Sequence, residues 1–117
     1  MRSTALAEMF GSRAAESVLL HAFHHGETYG RAVAADFSVS LDSVQRQLEK
    51  FERSGVFVSK RQGRTLVFSW NPKSRVALRL RDLVAVIHEG IPVDQKTRMF
   101  PRRRPRAKDK PVLAGDT

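Results

Sequence analysis

From Ser38 to Phe57 the chain reads SVSLDSVQRQLEKFERSGVF, with apolar residues at Leu41, Val44, Leu48 and Phe51 and polar or charged residues at almost every position between. That spacing predicts a helix over 41–54 with one narrow buried stripe, capped by Ser40 and ended by Gly55. Upstream, TALAEMF at 4–10 predicts a short amphipathic helix that stops at Gly11. Ser12 then caps a second helix over 13–24, burying Ala15, Val18, Leu19, Ala22 and Phe23, with Gly26 beyond its end. Thr28 is placed to cap a short helix over 29–37 that buries Tyr29, Val33, Ala34 and Phe37, and SVS at 38–40 makes a brief turn.

The period then changes. Val56–Ser59 and Thr65–Trp70 are β-prone runs joined by KRQGR, which predicts a basic hairpin with a glycine in its turn. Asn71-Pro72 breaks it. A last helix over 74–89 follows, with apolar positions Val76, Leu80, Leu83, Val84 and Ile87, and with Ala77, Leu78 and Val86 widening the stripe. The expected class is therefore mainly α with a β-hairpin, and the order of elements is that of a winged helix-turn-helix.

Charge changes the picture. The 117 residues suffice for one domain, yet carry a formal charge of +9 and a pI near 11.1, which favours a polyanionic partner. Residues 1–90 hold 13 Lys/Arg against 9 Asp/Glu, whereas residues 91–117 hold 8 against 3 and four of the five prolines. The reading divides the chain into a winged helix-turn-helix domain over 1–90 and a basic, largely disordered tail over 91–117, with order near Met99 and Phe100 expected only against a partner. The lack of cysteine removes disulfides and thiolate metal sites. No run approaches transmembrane length and no secretory signal is seen, so a cytoplasmic protein without membrane contact is expected.

On a helical wheel, Leu41, Val44, Leu48 and Phe51 share one side of helix 41–54, and Asp42, Ser43, Arg46, Lys50 and Arg53 the other. In a winged helix-turn-helix the second helix of the pair enters the major groove of double-stranded DNA. Ser40, Ser43, Gln45, Arg46, Gln47 and Lys50 are the candidate contacts on helix 41–54. Arg suits guanine bidentately, Gln suits adenine, and Ser suits phosphate. Lys60, Arg61 and Arg64 are the candidates on the wing, 56–70, for flanking backbone. The alternative for such a helix is a solvated face with the i,i+4 pairs Asp42–Arg46 and Glu49–Arg53. In the tail, PRRRPR offers Arg102, Arg103, Arg104 and Arg106 as phosphate contacts. It approximates an AT-hook core, but Arg103 stands where that motif needs glycine.

The stretch SVSLDSVQRQLEKFERSGVFVSKRQGRTLVFSWNP resembles the winged helix-turn-helix core of ArsR-like transcriptional regulators, on Ser40, Val44, Arg46, Leu48, Phe51, Gly55 and the wing. With MFGSRAAESVLLHAF it is most similar to the small ArsR-like type associated with nucleotidyltransferase genes. The resemblance spans residues 6–89 and implies a DNA-binding regulator, a repressor in the usual case, that forms a homodimer through terminal helices. Here those are the 4–10 segment and helix 74–89. The same positions, Ser40, Ser43, Gln45, Arg46, Gln47, Arg61 and Arg64, match its base- or phosphate-facing sites. The cysteine and histidine signatures of its metal sensors are absent. HAFHH sets His21 one turn before His24 and His25 but lacks H-E-x-x-H or a carboxylate in register, so these histidines are read as a solvated helix end and no metal or cofactor is assigned. No catalytic motif is present, and an enzyme is not expected. The second function class is a protein-interaction subunit of a toxin–antitoxin or nucleoprotein assembly on the same scaffold. RNA binding is a third, for which one Trp and one Tyr make no stacking platform.

Overall fold

Helix α2, Arg13–His25, is the axis around which the other elements pack in the computed structural model, which describes residues 3–101. Nine consecutive residues, Ala14 to Ala22, are buried, the mark of a helix surrounded on all sides. Before it lies α1, Ala5–Phe10, capped by Thr4 and ended by Gly11 in the left-handed conformation. The Thr4 backbone N–H and hydroxyl both donate to Glu16 Oε2, which fastens the start of α1 to buried Glu16 of α2. After α2 come β1, Glu27–Thr28, and the pair α3, Gly30–Phe37, and α4, Leu41–Arg53. The α3–α4 turn passes through Ser38 at φ 55°, the one described non-glycine residue with positive φ.

The α4 stripe is Val44, Leu48 and Phe51, buried against α2 and α3, while Leu41 stays partly exposed. Strands β2, Phe57–Gln62, and β3, Thr65–Trp70, form the hairpin, and β1 pairs with the far edge of β3, giving the antiparallel order β1-β3-β2. A chain of edge-to-face rings links helix to sheet. Phe10 and Phe51 lie 5.8 Å apart, Phe51 and Phe57 5.6 Å, and Phe57 and Trp70 5.1 Å. Helix α5, Arg75–Glu89, capped by Ser74, buries Ala77 and Val84 and rests Leu80 and Ile87 on the core.

Three features depart from the sequence reading. Thr28 caps nothing: it lies in β1 opposite Phe68, its hydroxyl bonds His21 Nδ1 at 2.8 Å, and Tyr29 stands at the N-cap of α3 with no side-chain cap bond. His21 is not part of a solvated helix end; it is 2% exposed, held between Thr28 and Asp36. And order continues past residue 90: Val93–Met99 forms α6, and Ile91, Met99 and Phe100 enter the core of the chain itself, without a partner. The tail arginines Arg102, Arg103, Arg104 and Arg106 lie outside the described residues.

Phe100 stacks flat on His24 at 3.9 Å, and His24 Nδ1 meets His88 Nε2 of α5 at 3.0 Å. Partial burial, then the neighbouring His25, His88 and Lys96, push the His24 pKa below its ordinary 6.5; burial, then Lys96, does the same for His88. Both rings are thereby kept neutral at pH 7, so that one can donate and the other accept. Phe100→Ala is expected to lower unfolding stability by about 3–5 kcal/mol, read from the urea midpoint. An unchanged midpoint would show that Phe100 contributes nothing to the core.

Candidate nucleic-acid interface

Because Val44, Leu48 and Phe51 are buried, the rotation of α4 is fixed and Asp42, Arg46, Lys50 and Arg53 project outward. Arg46 lies at the centre of that face. Its Nη2 pairs with Asp42 Oδ2 at 2.8 Å, both side chains about three-quarters exposed. An exposed i,i+4 pair of this kind contributes at most about 1 kcal/mol, so it positions the guanidinium without locking it. Lys50 Nζ sits 5.2 Å from the Phe51 ring, at the edge of the buried stripe.

The other residues named on this helix fall on its two flanks. Ser40 and Ser43 are engaged with each other: Ser40 Oγ accepts from the Ser43 N–H at 3.1 Å and donates to Ser43 Oγ at 2.9 Å. That cap starts the helix and leaves Ser43 Oγ its donor hydrogen. Gln47 is half-buried, with Oε1 shielded from solvent, on the flank towards α2. The hollow on this side is lined by Ser12, Arg13, Ser40, Ser43, Arg46 and Gln47.

Gln45 lies on the opposite flank, in a cleft of about 600 Å³ with Tyr29, Arg31, Glu49, Arg64 and Leu66. The close approach of α3 and α4 here leaves little room beside Gly30. A Cβ on it would meet Gln45 Nε2 at 2.8 Å, Gln45 Cδ at 3.0 Å and Leu41 Cδ1 at 3.2 Å. So the structure gathers Ser40, Ser43 and Gln47 on one side of the α4 crest and Gln45 with Arg64 on the other, with Arg46 on the crest between them. Arg13 at the start of α2 and Arg31 on α3, both exposed, join these two groups.

The wing is tied to α4 at its root by Ser59 Oγ, which donates to Glu52 Oε2. Its tip is the two-residue loop Gly63-Arg64, with φ 63° at Gly63 and no positive φ at Arg64, the combination a type II′ turn requires. Strand alternation separates the wing cations. Arg61 shares the face of Phe57 and Ser59, whereas Lys60 is on the reverse face, in a hollow with Glu27 and His25. The cations that stand together with α4 are thus Arg13, Arg31, Arg46 and Arg64, arranged around a helix N-terminal half whose free N–H groups also favour anions.

No family model and no curated protein matches the chain. Among solved structures it is similar to a MarR-family transcriptional regulator from Rhodococcus sp. RHA1, with 21% identity over 84% of this chain and 81% of that one and a TM-score of 0.58. It is also similar to reduced AbfR bound to DNA, at 17% identity over 75% of this chain and 63% of that one, TM-score 0.52. Overoxidized AbfR bound to DNA is similar at 18% identity over 77% and 68%, again with a TM-score of 0.52. At these identities the likeness is one of fold, and the mainly helical chain with its small antiparallel sheet is a winged helix, as the order of elements in the sequence indicated.

Gly30→Ala tests the α3–α4 approach. The Gln45 amide is the far end of a flexible side chain and can give way. The unfolding free energy is therefore expected to stay within about 1 kcal/mol of the parent, while the Gln45 side-chain amide resonances shift in an NMR spectrum.

Proposed function

We propose that the chain is a sequence-specific, double-stranded DNA-binding transcriptional regulator, acting as a repressor, that reads the major groove with α4 and flanking phosphates with the wing. The observation that carries this reading is the outward crest of α4, with Arg46 at its centre between two arginine-bearing hollows and Arg64 of the wing turn beside it. The DNA-bound AbfR structures share the fold and support the same direction. The small ArsR-like subtype, with a cytoplasmic location and no enzymatic activity, belongs to the same proposal. No helix among the described residues is long and apolar enough to cross a membrane.

Arg46 is proposed to read bases; Ser43, Gln45 and Arg13 border the groove; Arg31, Arg61 and Arg64 contact phosphate. Gln47, with its carbonyl oxygen shielded, is better suited to holding α4 against α2 than to reading a base. Arg46→Ala is expected to cost about 1–3 kcal/mol on the specific duplex and much less on random duplex. Arg64→Ala should weaken both and lower the salt slope by about one. The target duplex comes from selection out of a random pool. Equal loss on both duplexes for Arg46→Ala would remove its base-reading role, and an unselective pool would remove sequence specificity itself.

The homodimer proposed through α1 and α5 is supported by exposed apolar residues on both. Met9 of α1 is 54% exposed, and Val76, Leu83 and Val86 run along one flank of α5 at 69, 40 and 65%. A lone helix covers few base pairs, and two half-sites give useful affinity. Val76→Glu combined with Val86→Glu is expected to convert a dimer to a monomer in analytical ultracentrifugation without changing the circular-dichroism spectrum. A parent already monomeric at 100 µM would overturn this interface.

A further inference from the structure

The histidines of α2, set aside in the sequence, meet a carboxylate that folding brings to them. His21 and His25 are one turn apart on α2, and Asp36 reaches them from α3. One ligand atom of each lies within 4.8 Å of the other two. His21 Nε2 and Asp36 Oδ2 lie 2.9 Å apart. We propose that His21, His25 and Asp36 bind one divalent transition-metal cation of the zinc class, with Thr28 fixing the orientation of the His21 ring.

The donor set selects the class of ion. Two imidazoles and one carboxylate suit zinc and its neighbours, whereas magnesium and calcium take oxygen ligands. Bonds of about 2.0–2.2 Å place tetrahedral ligands roughly 3.3 Å apart. The His21–Asp36 pair is already near that separation. The His25 side chain is exposed, at the last residue of α2, and closes the set by a movement of at most about 1.5 Å. The fourth position is left for water or an added ligand.

Thr28 supplies the support that metal-bound histidines ordinarily have. Its Oγ1 lies 2.8 Å from His21 Nδ1, and both residues are buried. Facing a carboxylate, which only accepts, Nε2 holds a proton towards Asp36, and in a neutral ring Nδ1 then accepts from the Thr28 hydroxyl. When the cation binds, the single proton of the neutral ring passes by exchange with solvent from Nε2 to Nδ1 with no net release, so that Nε2 and Oδ2 coordinate the ion and Nδ1–H donates to Thr28 Oγ1. The same hydroxyl serves both states by rotating, which is the outer-shell role that fixes tautomer and ring orientation. Phe37 and Phe100, with ring centroids 6.3 and 6.4 Å from that of His21, add an apolar surround.

The test uses the tag-free full chain, zinc titrated by calorimetry against a competing chelator, and cobalt followed by its visible absorption. One equivalent per chain is expected, with the intense visible bands of a four-coordinate cobalt ion and no heat with magnesium. His25→Ala, an exposed change that leaves the core intact, should weaken zinc at least tenfold. Thr28→Val should weaken it about 10–100-fold, and His24→Ala by less than threefold. Absence of a one-to-one complex at 100 µM zinc, or an undiminished affinity in His25→Ala, would overturn the site. A loss in His24→Ala equal to that in His25→Ala would overturn the ligand assignment. Metal occupancy is read directly, so the result is independent of whether the chain binds DNA.

Discussion

Everything presented by α4 depends on the burial of three side chains. Val44, Leu48 and Phe51 enter the core, and each contributes roughly 1.5–3 kcal/mol by leaving water. Spaced by four and three residues, they define a stripe so narrow that rotating the helix by one residue would bring a charged group inside. The outward direction of Arg46 is thus set from behind. The residues that could touch a partner are specified by those that cannot.

How far this was legible in the sequence follows from how local each signal is. The α4 stripe, the capping serines Ser12 and Ser40, and the change of period into the hairpin are short-range patterns, and the fold class follows from them. β1 has two residues, too few for any period, and its Thr28 carries the same hydroxyl that a cap would use. Ile91, Met99 and Phe100 are too widely spaced to mark an amphipathic helix, and their burial depends on the far ends of α2 and α5. His21 was invisible as a core residue because the groups that satisfy it, Asp36 and Thr28, are 15 and 7 positions away.

The interface was partly legible for the same reason. Arg46 and the flanking positions of Gln45 and Gln47 follow from 100° steps around one helix. What stands beside those flanks does not, because Arg13 and Arg31 come from other helices. The faint signal for Arg13 was its place directly after the cap Ser12, at a helix start. The separation of Lys60 from Arg61 across the sheet was available from strand alternation, once Phe57 was known to face inward.

Ser38 gives the arrangement its weak seam. A side-chain-bearing residue in the left-handed region costs about 1–2 kcal/mol, and at φ 55° it sits in the bend that sets α3 against α4. The packing of Phe37 on one side and Val44 on the other must hold that energy in place. Disturbance of either would free that bend to relax, and the aim of the α4 crest relative to α3 would change with it.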